Sequence, residues 1–339
     1  MTRVALVGTE LCSVTSPTGG LERLVQGWAS VLGAHYDVVL IDMRPEEGAP
    51  GAIDGIPVVA VETVGELEGT LRRIGADVVQ TNNRCLWDTG SALRVNTFHN
   101  YPQGWSTTGA SGDLHRLKGA VSSQITTTVS RSLATQVESM FALEEGQVHV
   151  TYPFVAQAFL DARWHGGGGI LFPSRLLMKK GPDQVLEAAR LLGLEDRVTF
   201  LDFVTPFLRN SEEYLGIRQR IDASRASLVG QVARAGELAA LYAGADLVVA
   251  VATEPEGMGL VALEAQGVGT PIVSAGPEGL LEATMDPNEH LDRFDPEALA
   301  AGIERALAAG GGGTTKGAIA EQFSLEASAA GLEAAFAAR

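Results

Sequence analysis

The chain has 339 residues, of which 45% are hydrophobic and 19% are charged, and its formal net charge is −16. At roughly 150 residues per domain this length predicts two domains, and the composition excludes a wholly disordered chain. Proteins that bind nucleic acid need a cationic surface, and both halves of this chain are acidic. We therefore expect no nucleic acid among its partners.

The cysteines and apolar runs indicate the compartment. Cys12 and Cys85 form neither a CxxC pair nor a spacing typical of zinc ligands. The chain runs directly into an apolar stretch at 4–8 without the features of a signal peptide. The longest apolar stretch, at 245–252, is far shorter than the ~20 residues that span a bilayer. These features predict a cytoplasmic protein with no membrane insertion.

Short β-branched runs alternate with helical patterns, which is typical of α/β proteins with parallel sheets. The predicted strands are 4–8, 38–42, 58–61, 77–81, 93–98, 126–130, 148–152, 170–172, 197–201, 227–232, 247–251 and 271–274. The predicted helices are 21–32, 64–74, 113–121, 131–143, 182–192, 211–222, 235–243, 260–266, 296–309 and 318–338. The pattern is interrupted at 161–169, which includes four glycines, and again at a glycine run at 310–313. We therefore predict two α/β domains, 1–160 and 161–317, followed by a helical segment, 318–339.

Ligands of open parallel sheets bind at the carboxyl ends of strands, where the first turn of a helix offers free N–H groups. The first candidate loop ends in Gly19 and Gly20, which would let a bulky group approach the backbone. An ordinary helix start is the alternative. Because Gly8 is not followed by the GxGxxG spacing, we expect no nicotinamide cofactor.

Two further loops carry charged residues in the second half. Arg175 and Lys180 follow a predicted strand and could bind a diphosphate, or they could be a solvated pair at a helix entry. Glu256 lies in the loop after the strand at 247–251, and Glu264 lies two turns into the next helix among apolar neighbours. A carboxylate at that depth could accept both ribose hydroxyls while the helix start holds phosphates; an exposed helix position is the alternative. The eight-residue spacing between Glu256 and Glu264 favours the binding of a nucleotide.

Taken in order, several segments resemble motifs of the retaining glycosyltransferases of family 4. They are the GG-x-E-R opening at 19–23, the V-S-x-S segment at 129–132, the G-R-L…K-G element at 174–181, where Ser174 replaces the first Gly, and the E-x7-E motif at 256–264. The resemblance implies a GT-B fold, in which two Rossmann-like domains face a cleft and the final helix returns to the first domain.

The resemblance also implies a role for individual residues. Arg175 and Lys180 would contact the diphosphate of the donor, Glu256 its sugar and Glu264 its ribose. The backbone amides of Gly259, Leu260 and Val261 would bind phosphate or sugar. Gly19 and Gly20 would close over the donor from the first domain, and His99 would lie near the sugar.

The implied activity is transfer of a sugar, with retention, from a nucleoside diphosphate sugar, UDP- or GDP-linked, to a small soluble acceptor. Aromatic faces suit sugar rings, so Trp87, Tyr101 and Trp105 are candidates for binding the acceptor, with packing against the sheet as the alternative. Arg175 and Lys180 would supply the charge that a divalent ion otherwise provides, so we expect no metal and no other cofactor. The high Ala and Gly content is compatible with natural-product glycosylation.

Two other functions remain open from the sequence. A sugar-nucleotide epimerase or a phosphorylase on the same fold would keep the phosphate site without a separate acceptor pocket. A non-catalytic nucleotide-sugar-binding protein would bind the donor without turnover. Product analysis separates these possibilities from a transferase.

Overall fold

The computed structural model describes residues 1–9, 13–15, 20–84, 86, 88–101, 123–204, 208–230, 232, 234–310 and 314–338. The chain forms two compact units, which are treated separately below. Unit 1 comprises Met1–Phe154 with Leu325–Arg339, and unit 2 comprises Val155–Ser324. Each unit is built on its own, mostly parallel sheet, as the alternating sequence pattern predicted.

The described part of unit 1 contains an eight-stranded sheet in the order β3-β4-β2-β1-β5-β6-β7-β8. The strands are β1 (Arg3–Val7), β2 (Asp37–Asp42), β3 (Ala52–Ile53), β4 (Ile56–Ala60), β5 (Val78–Asn82), β6 (Leu93–Phe98), β7 (Ile125–Thr128) and β8 (His149–Val150). Every pairing is parallel except that of β3 with β4. The sheet therefore brings the carboxyl ends of its central strands to one edge.

Three helices connect the strands of unit 1: α1 (Gly20–Leu32), α2 (Val64–Ile74) and α3 (Arg131–Phe141). In α1, Leu24, Trp28 and Leu32 recur every four residues and are buried, which gives the helix one apolar face. Thr63 and Ser130 cap α2 and α3 by accepting hydrogen bonds from backbone N–H groups in the first turn. These local signals explain why the observed helix bounds agree closely with those predicted from the sequence. The helix predicted at 113–121 lies outside the described residues.

Unit 2 has a six-stranded parallel sheet among its described residues, in the order β11-β10-β9-β12-β13-β14. The strands are β9 (Ile170–Phe172), β10 (Val198–Leu201), β11 (Ser227–Val229), β12 (Leu247–Val251), β13 (Ile272–Ala275) and β14 (Glu289–Leu291). The helices are α4 (Gln157–Asp161), α5 (Pro182–Leu192), α6 (Glu212–Asp222), α7 (Ala235–Gly244), α8 (Leu260–Val268), α9 (Gly279–Ala283), α10 (Pro296–Ala309) and α11 (Lys316–Gln322). The sequence patterns did not predict β3, β14, α4 or α9, which are all five residues or shorter.

The unit boundary falls before α4, at Phe154–Val155, rather than at the glycine-rich segment after residue 160. Packing explains the difference. Phe159 of α4 is buried and makes an edge-to-face contact with Tyr242 of α7, with 5.4 Å between ring centroids. The Val155 N–H donates to the carbonyl oxygen of Phe323 at 2.8 Å. These contacts place residues 155–160 in unit 2.

The single final helix predicted at 318–338 is wrong, because the structure breaks it at 323–324. Ile319 and Phe323 are buried in unit 2, whereas the next helix, α12 (Leu325–Ala337), belongs to unit 1. In unit 1 the indole N–H of Trp28 donates to Ser328 Oγ at 2.9 Å, and Ser328 Oγ donates to the Tyr152 carbonyl oxygen at 2.5 Å. One predicted helix is therefore two, each buried in a different unit.

Among the residues that the structure describes, no helix combines the length and the apolar character needed to cross a membrane.

Candidate functional site

Three loops of unit 2 meet at the carboxyl edge of its sheet. They are residues 173–181 after β9, residues 252–259 after β12 and residues 276–278 after β13, and these three strands are neighbours in the sheet. The Thr253 N–H donates to the Lys179 carbonyl oxygen at 2.9 Å, and Glu256 pairs with Glu278 in a parallel β-bridge. The two hydrogen-bonded links hold the three loops together.

Two glycines are required by the close approach of these loops. A Cβ atom at Gly279 would lie 2.2 Å from the carbonyl oxygen of Glu256 and 2.7 Å from that of Gly257. Gly181 has φ +68°, and a Cβ atom there would lie 2.5 Å from Val251 Cγ1. Only glycine fits both positions without displacing a neighbouring loop or strand.

Lys180 and Glu256, both predicted site residues, form an ion pair in this framework. Their side chains are only 17% and 18% exposed, whereas that of Lys179 is 48% exposed. Lys180 is therefore not a solvated residue at a helix entry.

Arg175 stands close enough to act on Lys180 through its charge. Burial, together with the positive charges of Arg175 and Lys179, lowers the pKa of Lys180 to about 7. Contact with the Glu256 carboxylate acts in the opposite direction. Burial also lowers the pKa of the Arg175 guanidinium. Two cations and a carboxylate thus share a poorly hydrated site, which suits a ligand with both anionic and hydroxyl groups.

Glu264 is partly buried on α8, and its partner is a residue that the sequence analysis missed. The Tyr242 hydroxyl donates to Glu264 Oε2 at 2.9 Å, and Tyr242 is completely buried. Burial and the Glu264 charge raise the pKa of Tyr242 well above its ordinary value, so the phenol keeps its proton and remains a donor. The two residues lie 22 positions apart on different helices, and no sequence motif links them.

The first turn of α8 offers fewer amides than expected. The Gly259 N–H donates to the Gly279 carbonyl oxygen at 3.2 Å, and the Leu260 N–H donates to that of Met258 at 3.1 Å. The Val261 N–H has no acceptor among the described residues. Of the three predicted amides, that of Val261 is the one left for a ligand.

A partly buried carboxylate beside the site, that of Glu278, was not among the predicted site residues. Glu278 lies between β13 and α9 with φ +50°, a conformation that is uncommon outside glycine. Its Oε2 atom is buried without a hydrogen-bond partner in the described structure. The oxygen belongs to the residue that pairs with Glu256, so it lies beside the candidate site.

His99 follows β6 directly and lies at the carboxyl edge of the sheet of unit 1. Its Nε2 atom is 2.8 Å from Asn82 Oδ1, and its backbone N–H donates to Asn83 Oδ1 at 3.0 Å. Burial lowers the pKa of His99 to about 3, so the ring is neutral at physiological pH.

The glycine-rich opening is described only in part. Gly20 is exposed and begins α1, whereas Gly19 lies outside the described residues. Glu22, two residues further on, is buried and accepts a hydrogen bond from the Thr9 hydroxyl. This bond ties the first turn of α1 to the segment that follows β1.

Of the three aromatic residues predicted to bind the acceptor, the structure describes one. Tyr101 is 2% exposed, so its ring does not offer a free face to a ligand. It is packed in the protein, which was the alternative reading of this stretch. Trp87 and Trp105 lie outside the described residues.

Comparison with solved structures identifies the fold. The chain is similar to sucrose-phosphate synthase from Thermosynechococcus elongatus, with a TM-score of 0.76 and 17% identity over 99% of this chain and 98% of that one. It is also similar to Anabaena Alr3699/HepE, solved in complex with UDP-glucose, with a TM-score of 0.71 and 15% identity over 100% of both chains. The two parallel-sheet units therefore have the GT-B fold of glycosyltransferases, as the resemblance implied.

Sequence comparison assigns one segment of the chain to a family. Residues 166–311 match the family model of Glycosyl transferases group 1, so the chain carries a domain of this family in unit 2. A D-inositol 3-phosphate glycosyltransferase of Actinosynnema mirum is 32% identical over 167 residues, which cover 44% of this chain and 40% of that relative. The match thus spans about two fifths of that relative. The motifs at 174–181 and 256–264, which carried part of the resemblance, both lie within the matched residues.

Proposed function

We propose that this protein transfers a sugar from a nucleoside diphosphate sugar to a small acceptor. The observation that carries the proposal is the largely buried Lys180–Glu256 ion pair beside Arg175, at the carboxyl ends of neighbouring strands. The membership of residues 166–311 in a glycosyltransferase family supports the same reaction class.

In this proposal each charged group of unit 2 acts on one part of the donor. Arg175 and Lys180 bind the diphosphate, and Lys180 exchanges part of its contact with Glu256 for phosphate oxygens. Glu256, relieved of that ion pair, accepts hydrogen bonds from sugar hydroxyls. Glu264, held by Tyr242, accepts the ribose hydroxyls, and the Val261 N–H donates to a phosphate oxygen or the sugar.

The chemistry follows from where charge develops. When the bond between the anomeric carbon and the phosphate oxygen breaks, negative charge grows on the diphosphate and positive charge on the sugar. Arg175 and Lys180 are fixed in place before the reaction, so they stabilise the leaving group with little rearrangement. The acceptor hydroxyl forms the new bond at the anomeric carbon, its proton passes to an oxygen of the departing diphosphate, and the nucleoside diphosphate leaves. We propose retention at this carbon on the basis of the family resemblance.

The donor and acceptor are proposed by class. The similar Anabaena protein was solved with UDP-glucose, which makes UDP-glucose the first donor to test, followed by GDP-linked sugars. The match to D-inositol 3-phosphate glycosyltransferases supports a small, polar, soluble acceptor. We also propose that transfer needs no metal, because the two cations supply the charge.

Product analysis tests the proposal. We expect UDP-glucose and a small-acceptor panel to give a glycoside with the donor's anomeric configuration, and the same rate in EDTA. Arg175→Ala should reduce turnover more than donor binding, since its charge matters most as the phosphate leaves. Epimerised or phosphorolysed donor would indicate the alternative enzymes. Donor binding without any product across UDP- and GDP-sugars would indicate a non-catalytic binding protein.

A further inference from the structure

Gln266 is a buried amide in a helix whose other buried residues are small or apolar. It lies on α8, two positions after Glu264, and is completely buried. A buried polar side chain costs free energy unless hydrogen bonds inside the protein replace its contacts with water. Gln266 therefore needs a full set of partners within unit 2.

All four hydrogen-bonding positions of the Gln266 amide are occupied. Nε2 donates to the carbonyl oxygen of Ala262, one turn earlier on α8, at 2.8 Å, and to that of Ala283, the last residue of α9, at 2.7 Å. Oε1 accepts from the Met285 N–H at 2.9 Å and from Asn288 Nδ2 at 3.2 Å. The backbone partners fix the orientation of the amide, because a carbonyl oxygen only accepts and an N–H only donates.

The amide of Gln266 ties the far end of α9 to α8, and the near end of α9 is tied to the loop after β12. The Gly259 N–H of that loop donates to the Gly279 carbonyl oxygen at 3.2 Å. Glu278, just before α9, pairs with Glu256 of the same loop. Because α9 has only five residues, a displacement of one end moves the other. Two contacts therefore hold this short helix from opposite ends.

The backbone at the start of α9 depends on such support. Glu278 has φ +50° and ψ −99°, a conformation that is strained for a residue with a side chain. A strained backbone persists only where the surrounding contacts determine it. The bridge to Glu256 supplies one such contact at the near end of α9, and the bond from Gln266 supplies another at the far end.

We propose that Gln266 is a positioning residue, which holds α9 against α8 and so sets the separation of the Glu256 and Glu264 carboxylates. Glu264 lies on α8 itself, whereas Glu256 takes its place from the bridge at the start of α9. These carboxylates bind the sugar and the ribose of the donor in the proposed function, and the consequence for donor binding rests on that function. Gln266 itself touches no ligand in this inference.

Hydrogen exchange of the full chain tests the positioning without any ligand. Gln266→Met keeps the approximate size of the side chain and removes all four hydrogen bonds. We expect the Gly259 N–H, which bonds to the first residue of α9, to exchange about tenfold faster in this variant. The Ala252 N–H, which bonds to the Ala275 carbonyl oxygen at 2.9 Å, should keep its rate. Unchanged exchange at Gly259, or equal acceleration at both amides, would overturn the inference.

Ile303→Ala is the control for a general loss of stability. Ile303 is completely buried on α10 in the core of unit 2, so its truncation destabilises the unit at a position outside α8 and α9. We expect the exchange of Gly259 relative to Ala252 to stay as in the wild type. Faster exchange at Gly259 alone in this control would contradict a specific role of Gln266.

Gln266→Glu gives a readout that a packing defect does not. Glutamate keeps acceptor oxygens for Met285 and Asn288, but it donates to the Ala283 carbonyl oxygen only when it is protonated. Burial raises the pKa of a carboxyl group, so a pH of about 5 should restore protection of the Gly259 N–H that is lost at about pH 7. Gln266→Met should show no such recovery. Protection that stays low in both variants at the lower pH would count against the link through Ala283.

The consequence for the donor is measured by calorimetry with UDP-glucose, at a temperature where all variants are folded. We expect Gln266→Met to bind UDP-glucose several-fold more weakly than the wild type, and Ile303→Ala to bind it equally well. Equal affinity of Gln266→Met and the wild type, with accelerated exchange at Gly259, would overturn the link to the two carboxylates. If the wild type itself does not bind UDP-glucose, the proposed function fails, and the exchange rates still decide whether Gln266 holds α9.

Discussion

Lys180 links the chemistry of the site to pH. Its ammonium is held in a poorly hydrated position beside two other cations, and its partner is the Glu256 carboxylate. Burial and the two cations lower the pKa of Lys180 to about 7, so the free protein begins to lose this charge near neutral pH, whereas a bound diphosphate favours the charged form.

We predict that the affinity for UDP-glucose falls as the pH rises above about 7, by up to tenfold per pH unit. Above its pKa, Lys180 must take up a proton before it can pair with the diphosphate, whereas below it the charge is already present. Both phosphates of UDP-glucose are esterified, so the ligand does not itself titrate there. Calorimetric titrations at several pH values measure the effect.

Lys180→Arg is the matched variant for this prediction. A guanidinium stays charged throughout this pH range, so its affinity profile should be flat above pH 7. A wild type without pH dependence, or a variant with the same slope as the wild type, would show that Lys180 does not control the titration.

Tyr242 positions Glu264 in our account, because its buried hydroxyl donates to one carboxylate oxygen. We predict that Tyr242→Phe weakens UDP-glucose binding several-fold, equivalent to about 1 kcal/mol, because Glu264 loses the hydrogen bond that positions it. Tyr214→Phe is the control, since it removes a similar bond to Asp202 at 2.7 Å. Equal losses in both variants would argue against a specific role for Tyr242.

At the scale of elements, the loops at the carboxyl edge of unit 2 form one hydrogen-bonded framework. The bridge between Glu256 and Glu278 and the missing side chain at Gly279 let the loops after β12 and β13 touch along their backbones. The position of Glu256 therefore depends on a residue more than twenty positions further along the chain.

We predict that Gly279→Ala lowers the free energy of unfolding by about 1–3 kcal/mol and weakens donor binding, because the new Cβ overlaps two carbonyl oxygens. Urea denaturation and calorimetry measure the two effects. Gly236→Ala is the control, since a Cβ at that helical position meets nothing within 4 Å. Stability and binding unchanged in Gly279→Ala would show that the loops can separate freely.

The elements that local signals define were predictable from the sequence. Thr63 and Ser130 cap the first turns of α2 and α3, and Gly193 caps the last turn of α5. At these places the helix bounds agree with the prediction to within two residues. The grouping of Arg175, Lys180 and Glu256 at one sheet edge was also predicted, from their positions after predicted strands and from the family resemblance. The hydrogen bond from Tyr242 to Glu264 and the contacts of His99 with Asn82 and Asn83 were not predicted, because each depends on groups brought together from separate parts of the chain.

At the scale of the whole molecule, the chain leaves unit 1 at residue 154 and returns to it at residue 325. The break at 323–324 makes this return possible, since Phe323 is buried in unit 2 and the next turn already belongs to α12. The helical pattern alone runs through this point, which is why the sequence predicted one helix.

We predict that Leu332→Ala in α12 destabilises unit 1, although residue 332 follows all of unit 2 in the sequence. Leu332 is completely buried in the same core as Trp28, and truncating such a leucine costs about 2–5 kcal/mol. Hydrogen exchange should rise in β1 and α1 and stay unchanged in β9 and β12. Leu191→Ala, at a 53% exposed position of unit 2, should leave both units protected. Faster exchange confined to unit 2 would contradict the assignment of α12.

The most direct test of the account is the calorimetric affinity of UDP-glucose for the wild type, Glu264→Gln and the surface control Glu237→Gln. Glu237 lies on α7 with its side chain 59% exposed, so its substitution changes the same charge outside the site. We predict binding by the wild type and the control, and at least about tenfold weaker binding by Glu264→Gln, since a carboxylate hydrogen bond contributes about 1.5–3 kcal/mol. Equal affinity of all three proteins, or no binding by the wild type, would contradict the donor site assigned to unit 2.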